Sequence, residues 1–342
     1  MHIEARSEAF APRTLPTEIL TRKEDQDIRI SCVVPCLNEC DNLRVLLPAL
    51  MSMLSKLGTS WEVIVTDDGS TDGTPDMMKD WSAIDGFRYV RLSRNFGKEA
   101  ALSAGLESST GDVVICLDAD MQHPPALIPE MLARWRAGAD MVYAVRQNRD
   151  GESWFKRAGT SLFYRLLSEG RGVEVPAHAG DFRLMDRRVV QALNALPERT
   201  RFMKGLYAWV GFQAEALPYV PDERAHGATR YTKRKLFRLA FAGLTSFTTW
   251  PLRAVSLIGL VLSLLSFGYG CYLVFDYWMY GNAVSGWTTI VAALMFFAGV
   301  NLLSLGVVGE YVGRIFDEVK GRPLYVVREQ RGKVFTEKNS SR

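Results

Sequence analysis

Short apolar runs alternate with amphipathic stretches along residues 28–145, and the alternation predicts strands and helices in turn. Strands are expected at 28–34, 61–66, 87–92, 112–117 and 141–145. Between them, apolar positions three and four apart predict helices over 39–57, 74–82, 99–108 and 125–137. Such a β-α-β series implies a mostly parallel sheet with helices on both faces. Ligands of these sheets bind where the strands end. Each of the first four strands is followed by a polar cluster.

The pattern changes in kind near residue 250. Residues 254–275 and 284–309 contain no charged side chain. As helices rising about 1.5 Å per residue, both are long enough to cross a hydrocarbon core. Trp250, Tyr277, Trp278, Tyr280 and Trp287 mark the expected interfaces. The loop 276–286 has no Lys or Arg, whereas Arg253, Arg314, Lys320 and Arg322 lie on the outer flanks. The excess of positive charge on those flanks puts both ends of the hairpin in the cytoplasm.

The cluster after the fourth strand is the richest in chemistry. Asp118-Ala119-Asp120-Met121-Gln122 precedes His123-Pro124-Pro125. Two carboxylates and an amide oxygen stand where a strand should end, and the proline pair turns the chain. If this segment is extended, alternate side chains point the same way, so Asp118, Asp120 and Gln122 converge on one hard cation, Mg2+ or Mn2+. So few protein oxygens leave positions open for phosphate, which suits a nucleotide-diphosphate site. Taken alone, the same pattern also fits a charged loop that caps a strand.

Composition narrows the classes. A net charge of +3 over 342 residues is too small to suggest nucleic acid. The basic residues are uneven, with Arg230, Lys233, Arg234, Lys235 and Arg238 crowded just ahead of the first apolar segment. Five cysteines, an odd number, argue against a disulfide framework. Cys32, Cys36 and Cys40 run from a strand through a turn into a helix and share no face, so buried reduced thiols of a cytosolic domain are expected rather than a metal site. Residues 1–27 carry charges and prolines without an apolar core and read as a mobile tail, not a signal peptide. No GxGxxG follows the first strand and no GxxxxGK[ST] occurs, which disfavours a dinucleotide-binding Rossmann domain and a P-loop.

Four motifs together resemble the inverting glycosyltransferases of the GT-A fold, family 2. They are Val33-Val34-Pro35-Cys36-Leu37-Asn38-Glu39, Asp67-Asp68-Gly69-Ser70-Thr71-Asp72-Gly73, Arg94-Asn95-Phe96-Gly97-Lys98-Glu99 and the segment 118–125. Residues 180–187 and 224–231 add to the likeness; the latter resembles the family's RxxGxSKY, with Thr229 for Ser and Arg230 for Lys. Within the family the chain is most similar to polyprenyl-phosphate glycosyltransferases, the group of dolichol-phosphate mannose synthase and the bactoprenol glucosyltransferases. The resemblance covers about residues 28–325.

By that resemblance, Pro35, Leu37, Glu39 and Asp68 line a nucleoside pocket. Asp120 and Gln122 ligate the metal, with Asp118 beside them touching the nucleotide or the metal's ligands. Arg146, Arg157 and Ser161 hold the acceptor phosphate, while Arg224 and Arg230 cover the diphosphate and offset charge on the leaving group. Asp181 resembles the proposed general base of the bactoprenol enzymes. Three alternatives stay open: Asp68 capping the Gly69-Ser70 turn, Lys98 solvated rather than nucleotide-binding, and Asp181 orienting an arginine or sugar hydroxyls. The last follows because a phosphate monoester with a second pKa near about 6 is already mostly dianionic at neutral pH. His123 and His178 are not expected to catalyse.

The expected organisation is a tail at 1–27, a GT-A catalytic domain at 28–234 with an interface helix at 154–167, a second interface helix at 235–250, a two-helix membrane hairpin at 251–316 and a cytoplasmic tail at 317–342. Trp154, Phe155, Leu162, Phe163 and Leu166 give the first interface helix its apolar face, with Arg157 and Ser161 four apart. The implied reaction is transfer of one sugar, glucose from UDP-glucose by likeness to that branch, to undecaprenyl phosphate at the cytoplasmic face of the inner membrane. Aminoarabinose or mannose transfer by the same mechanism and an inactive nucleotide-sugar-binding scaffold are the alternatives. A processive synthase is disfavoured by the lack of a QxxRW motif and of further spans. The family implies a homo-oligomer, a tetramer.

Overall fold

The computed structural model describes residues 28–146, 179–199, 201–219, 250–280 and 286–333. The tail expected at 1–27, the interface helix expected at 154–167, residues 235–249 of the second expected interface helix and residues 334–342 of the tail expected at 317–342 lie outside the described residues, while residues 327–331 of that expected tail form a strand of the sheet.

The predicted alternation is present as β1 (Arg29–Cys36), α1 (Cys40–Lys56), β2 (Ser60–Asp67), α2 (Thr74–Trp81), β3 (Phe87–Leu92), α3 (Lys98–Ser108), β4 (Val113–Cys116), α4 (Ile128–Arg136) and β5 (Met141–Arg146). A 3-10 turn, Pro125–Leu127, leads into α4, where the two prolines leave amide donors missing. Three strands follow that the apolar pattern does not predict: β6 (Ala179–Asp186), β7 (Ala214–Tyr219) and β8 (Val327–Arg331). Helices α5 (Arg187–Ala195) and α6 (Met203–Trp209) connect β6 to β7.

All eight strands form one sheet in the order β7-β5-β6-β4-β1-β2-β3-β8. It is the mostly parallel, Rossmann-like sheet of the GT-A fold. Strands β1 to β4 run parallel, and β6 enters antiparallel between β4 and β5. At the far edge β8 pairs antiparallel with β3. Central strands are apolar almost throughout because helices cover both faces. On one face Ile30, Cys32, Val34, Val63 and Val65 meet Leu43, Leu46, Leu47 and Leu50 of α1. The other face carries α3, whose Gly105 lets the helix backbone approach closely: a Cβ there would stand 2.2 Å from Val33 Cγ1. That close seat fixes the N-terminal end of α3, and with it Lys98, over the ends of the strands.

Charge at the opposite edge is neutralised internally. Glu62 is buried, pairs with Arg88 at 2.8 Å and accepts from Ser31 Oγ at 2.6 Å and from the Thr110 amide at 2.9 Å. The cysteines Cys32, Cys36, Cys40 and Cys116 are free and buried.

Residues 250–280 and 286–322 belong to a second compact unit. Its described part is α7 (Trp250–Tyr280) and α8 (Trp287–Val319). Stretches Ala254–Tyr280 and Ala293–Val319 are each long and apolar enough to cross a membrane, and none of their most apolar window is buried. Leu264, Leu265 and Phe267 on α7, like Leu302 and Leu303 on α8, expose more than half their surface. Apolar area of that extent is stable only in contact with lipid or protein.

Candidate active site

Parallel strands β1 to β4 end at one edge, and their following loops are tied together by side-chain to backbone hydrogen bonds. Asn38, with φ 56, donates its amide to Ser70 Oγ at 2.9 Å and accepts from the Thr71 amide at 2.8 Å. Asp72 accepts from the amides of Cys40 and Thr74. Gly69, at φ 79, lies so close to the next loop that a Cβ would stand 2.7 Å from the Arg94 carbonyl carbon. The turn at Gly69-Ser70 is capped by Asp67, whose Oδ1 accepts from the Ser70 amide at 2.7 Å. Asp68 does something else: its two oxygens accept from the amides of Phe96 and Gly97 at 2.7 and 2.9 Å. Burial lifts the Asp68 carboxyl above its ordinary pKa against the pull of those amides. Asp68 therefore shapes the loop that leads into α3. Of its companions, Pro35 is buried, Leu37 is exposed, and Glu39 accepts from Asn42 Nδ2 at 2.6 Å.

The metal-motif residues are arranged differently from the extended geometry expected. Strand β4 stops at Cys116, and the chain turns over 119–121. Asp120 Oδ1 accepts from the Gln122 amide at 3.2 Å, and Met121 adopts φ 61 between them. A short acceptor that bonds the amide two residues on makes a turn of its own, so strand alternation does not align Asp118, Asp120 and Gln122.

Instead Asp118 is aligned with Asp181. Cys116 pairs with Arg183 across the β4–β6 register, so two residues further out Asp118 and Asp181 stand opposite each other. Lys98 bridges them, its Nζ 2.7 Å from Asp118 Oδ1, 2.9 Å from Asp118 Oδ2 and 2.6 Å from Asp181 Oδ2. The three side chains converge from α3, the segment just after β4, and β6, with the partners of Lys98 20 and 83 positions away in the sequence. Burial works to raise the Asp181 carboxyl, but Lys98 and Lys204 outweigh it and hold the group below its ordinary pKa. Such a carboxylate is a weak proton acceptor.

Next to Lys98 stands a group that the sequence reasoning passed over. Burial and the charge of Asp181 push the Glu99 carboxyl up to about 7, against the influence of Lys98, the Met203 amide and Lys204. Its only sequence signal is its place in the Arg94–Glu99 motif. Arg183 was likewise seen only as a motif letter. It is buried, with its guanidinium carbon 3.7 Å from the Tyr207 ring centroid and Nη1 3.0 Å from Met141 Sδ. His123 packs on Phe182 and its Nδ1 shares a hydrogen bond with Tyr219 OH at 2.9 Å. Burial lowers the His123 pKa although Asp118, Asp120 and Asp181 oppose this, which favours the neutral ring.

Other expected contributors are not visible together here. Arg146 ends β5, and its side chain is outside the described residues. Arg157, Ser161, His178, Arg224 and Arg230 also lie outside them. Among the described residues, no three His, Cys, Asp or Glu side chains form a metal cage. The acidic mouth nevertheless suits a cation, since the ammonium of Lys98 already occupies the space between two carboxylates. A separate cleft of about 300 Å³, bordered by Ser103, Glu107, Asn194, Arg201 and Tyr325, opens further along α3 and does not include these groups.

Residues 31–193 match the family model "Glycosyl transferase family 2", and residues 250–315 match "GtrB C-terminal hairpin". An uncharacterized glycosyltransferase of Synechocystis sp. is 44% identical over 303 residues, 88% of this chain and 95% of its own. The uncharacterized glycosyltransferase YkcC of Bacillus subtilis is 38% identical over 89% of this chain and 95% of its own. The SfII prophage-derived bactoprenol glucosyl transferase of Shigella flexneri is 39% identical over 88% of this chain and 98% of its own.

Proposed function

The chain belongs to glycosyl transferase family 2 and is a glycosyltransferase, and from that membership we propose that it transfers a single glucose from UDP-glucose to undecaprenyl phosphate with inversion at the anomeric carbon. The observation that carries this reading is the apposition of Asp118 and Asp181 at the carboxyl edge of the parallel strands, beside the linked loops after β1 and β2. The acceptor class rests on the likeness to bactoprenol glucosyl transferases along almost the whole chain.

In this reading Pro35, Leu37, Glu39 and Asp68 form the nucleoside side, Asp68 by holding the 96–97 backbone. Asp120 and Gln122, with Asp118, would hold Mg2+ or Mn2+, a pair of carboxylates and an amide oxygen being a fitting set for a hard cation. When bound, that cation offsets charge on the departing nucleoside diphosphate. Lys98, Arg224 and Arg230 serve the diphosphate; Arg146, Arg157 and Ser161 serve the lipid phosphate. A phosphate oxygen of the lipid attacks the anomeric carbon from the side opposite the diphosphate; the new C–O bond forms as the bond to UDP breaks. Because the acceptor is already anionic, Asp181 has no proton to remove and orients Lys98 and the sugar. The two apolar helices anchor the enzyme, and the basic outer flanks of the hairpin support a cytoplasmic site on the inner membrane.

The test uses the purified full chain in detergent with undecaprenyl phosphate and a panel of UDP-glucose, UDP-N-acetylglucosamine, UDP-aminoarabinose and GDP-mannose. The expected product is a β-linked lipid glucose with release of UDP, read by mass spectrometry and NMR. Retained α configuration would overturn the mechanism, preference for another donor would overturn the sugar, and no transfer from any donor would favour an inactive scaffold. Arg157→Ala should weaken lipid dependence and leave donor binding nearly unchanged.

A further inference from the structure

Lys98 is an unusual choice for its position. It is the first residue of α3, where the exposed amides and the helix dipole favour anions over cations. The flanking Gly97 has φ 107, and 44% of the Lys98 side chain is exposed, so the lysine has room to leave. What holds it is the pair of carboxylates, and it engages both oxygens of Asp118 together with one of Asp181. Those Asp118 oxygens belong to the same short motif as Asp120 and Gln122. An ammonium at hydrogen-bond distance from both repels a dication brought to the same group.

We propose that Lys98 is a built-in competitor of the divalent cation, and that the donor's diphosphate relieves the competition by drawing the ammonium off Asp118. This rests on the reading of Asp118, Asp120 and Gln122 as the cation site. The diphosphate is a suitable trigger because it brings negative charge to the N-terminus of α3, where both the amides and Lys98 attract it. Cation and nucleotide then bind with positive coupling: each is held weakly alone and firmly together. Lys204 supplies the control. Its charge bears on Asp181 and Glu99, as that of Lys98 does, yet it does not bridge Asp181 to Asp118.

The experiment is titration of Mn2+ into the purified full chain, followed by electron paramagnetic resonance, with and without UDP. Wild type, Lys98→Met, Lys204→Met and Asp120→Asn are compared. In wild type, UDP should tighten Mn2+ binding about tenfold or more, within the usual range of coupling between sites. Lys98→Met should bind Mn2+ about tenfold more tightly than wild type without UDP and gain little when UDP is added. Equal tightening in Lys98→Met and Lys204→Met would reduce the effect to net charge and overturn the proposal. So would unchanged or weaker binding in Lys98→Met while wild type binds and Asp120→Asn does not, a result that leaves the metal reading standing. Absence of Mn2+ binding in every protein, with or without UDP, would overturn both.

Discussion

Replacing Glu99 by Gln should stabilise the protein at high pH and leave it unaltered at low pH. The Glu99 carboxyl is raised from an ordinary 4.5 to about 7, first by burial and then by Asp181. The folded chain thus keeps a proton that the unfolded chain releases, so stability falls as pH rises through the window between 4.5 and about 7. A displacement of that size corresponds to about 3 kcal/mol of native-state cost once the group is ionised, as an order of magnitude. Gln keeps the shape and can still accept the Met203 amide, but it never ionises there. The assay is thermal unfolding of the full chain in detergent from about pH 4 to about pH 9, wild type beside Glu99→Gln. At the acid end both side chains are neutral and the two proteins should melt together. Above about pH 7.5 the variant should melt roughly 6 to 12 °C higher for a domain of this size. A difference that is constant with pH, or that favours wild type in alkali, refutes the argument from burial and charge.

Asp181→Asn should lower turnover by a similar factor throughout roughly pH 6.5–8.5, because Lys98 and Lys204, working against burial, keep the Asp181 carboxyl ionised there. Disappearance of a pH limb in that variant would make Asp181 a base after all. Asp120→Asn should abolish sugar transfer without changing thermal melting, and full activity in excess magnesium would remove Asp120 from the metal set. Glu62→Ala should cost about 3–5 kcal/mol in denaturant unfolding, since it leaves Arg88 charged and buried without its partner. Pairing Glu62→Leu with Arg88→Met should recover most of that loss; no recovery would mean that the pair itself is not what Glu62 supports.

The five strands predicted from the apolar pattern are all present because each is a buried run bounded by turn residues. Strand β8 was not legible: at the edge of the sheet it alternates half-buried with exposed positions and reads Val-Arg-Glu-Gln-Arg. Strand β6 was hidden by its charges, since Asp181, Arg183 and Asp186 suggest a loop. Arg183 is accommodated by Tyr207 and Met141, which lie far away in the sequence. Candidate residues at strand ends were legible for a simpler reason, namely that polar clusters after apolar runs can only sit at that edge. How they meet was not legible. The Lys98 bridge depends on the pairing of β4 with an antiparallel strand that begins 63 residues after β4 ends, and the alignment of Asp118 with Asp120 failed because Asp120 accepts from the Gln122 amide instead.

Strand β8 also sets an order of events in time. The sheet's last strand is translated after α7 and α8, so while these apolar helices emerge, β3 still presents an unpaired edge. The nascent sheet is therefore structurally unfinished until both apolar helices have been made. Chains arrested during synthesis of the hairpin would expose that edge to aggregation and to proteases, and only chains that have produced both helices can close the sheet.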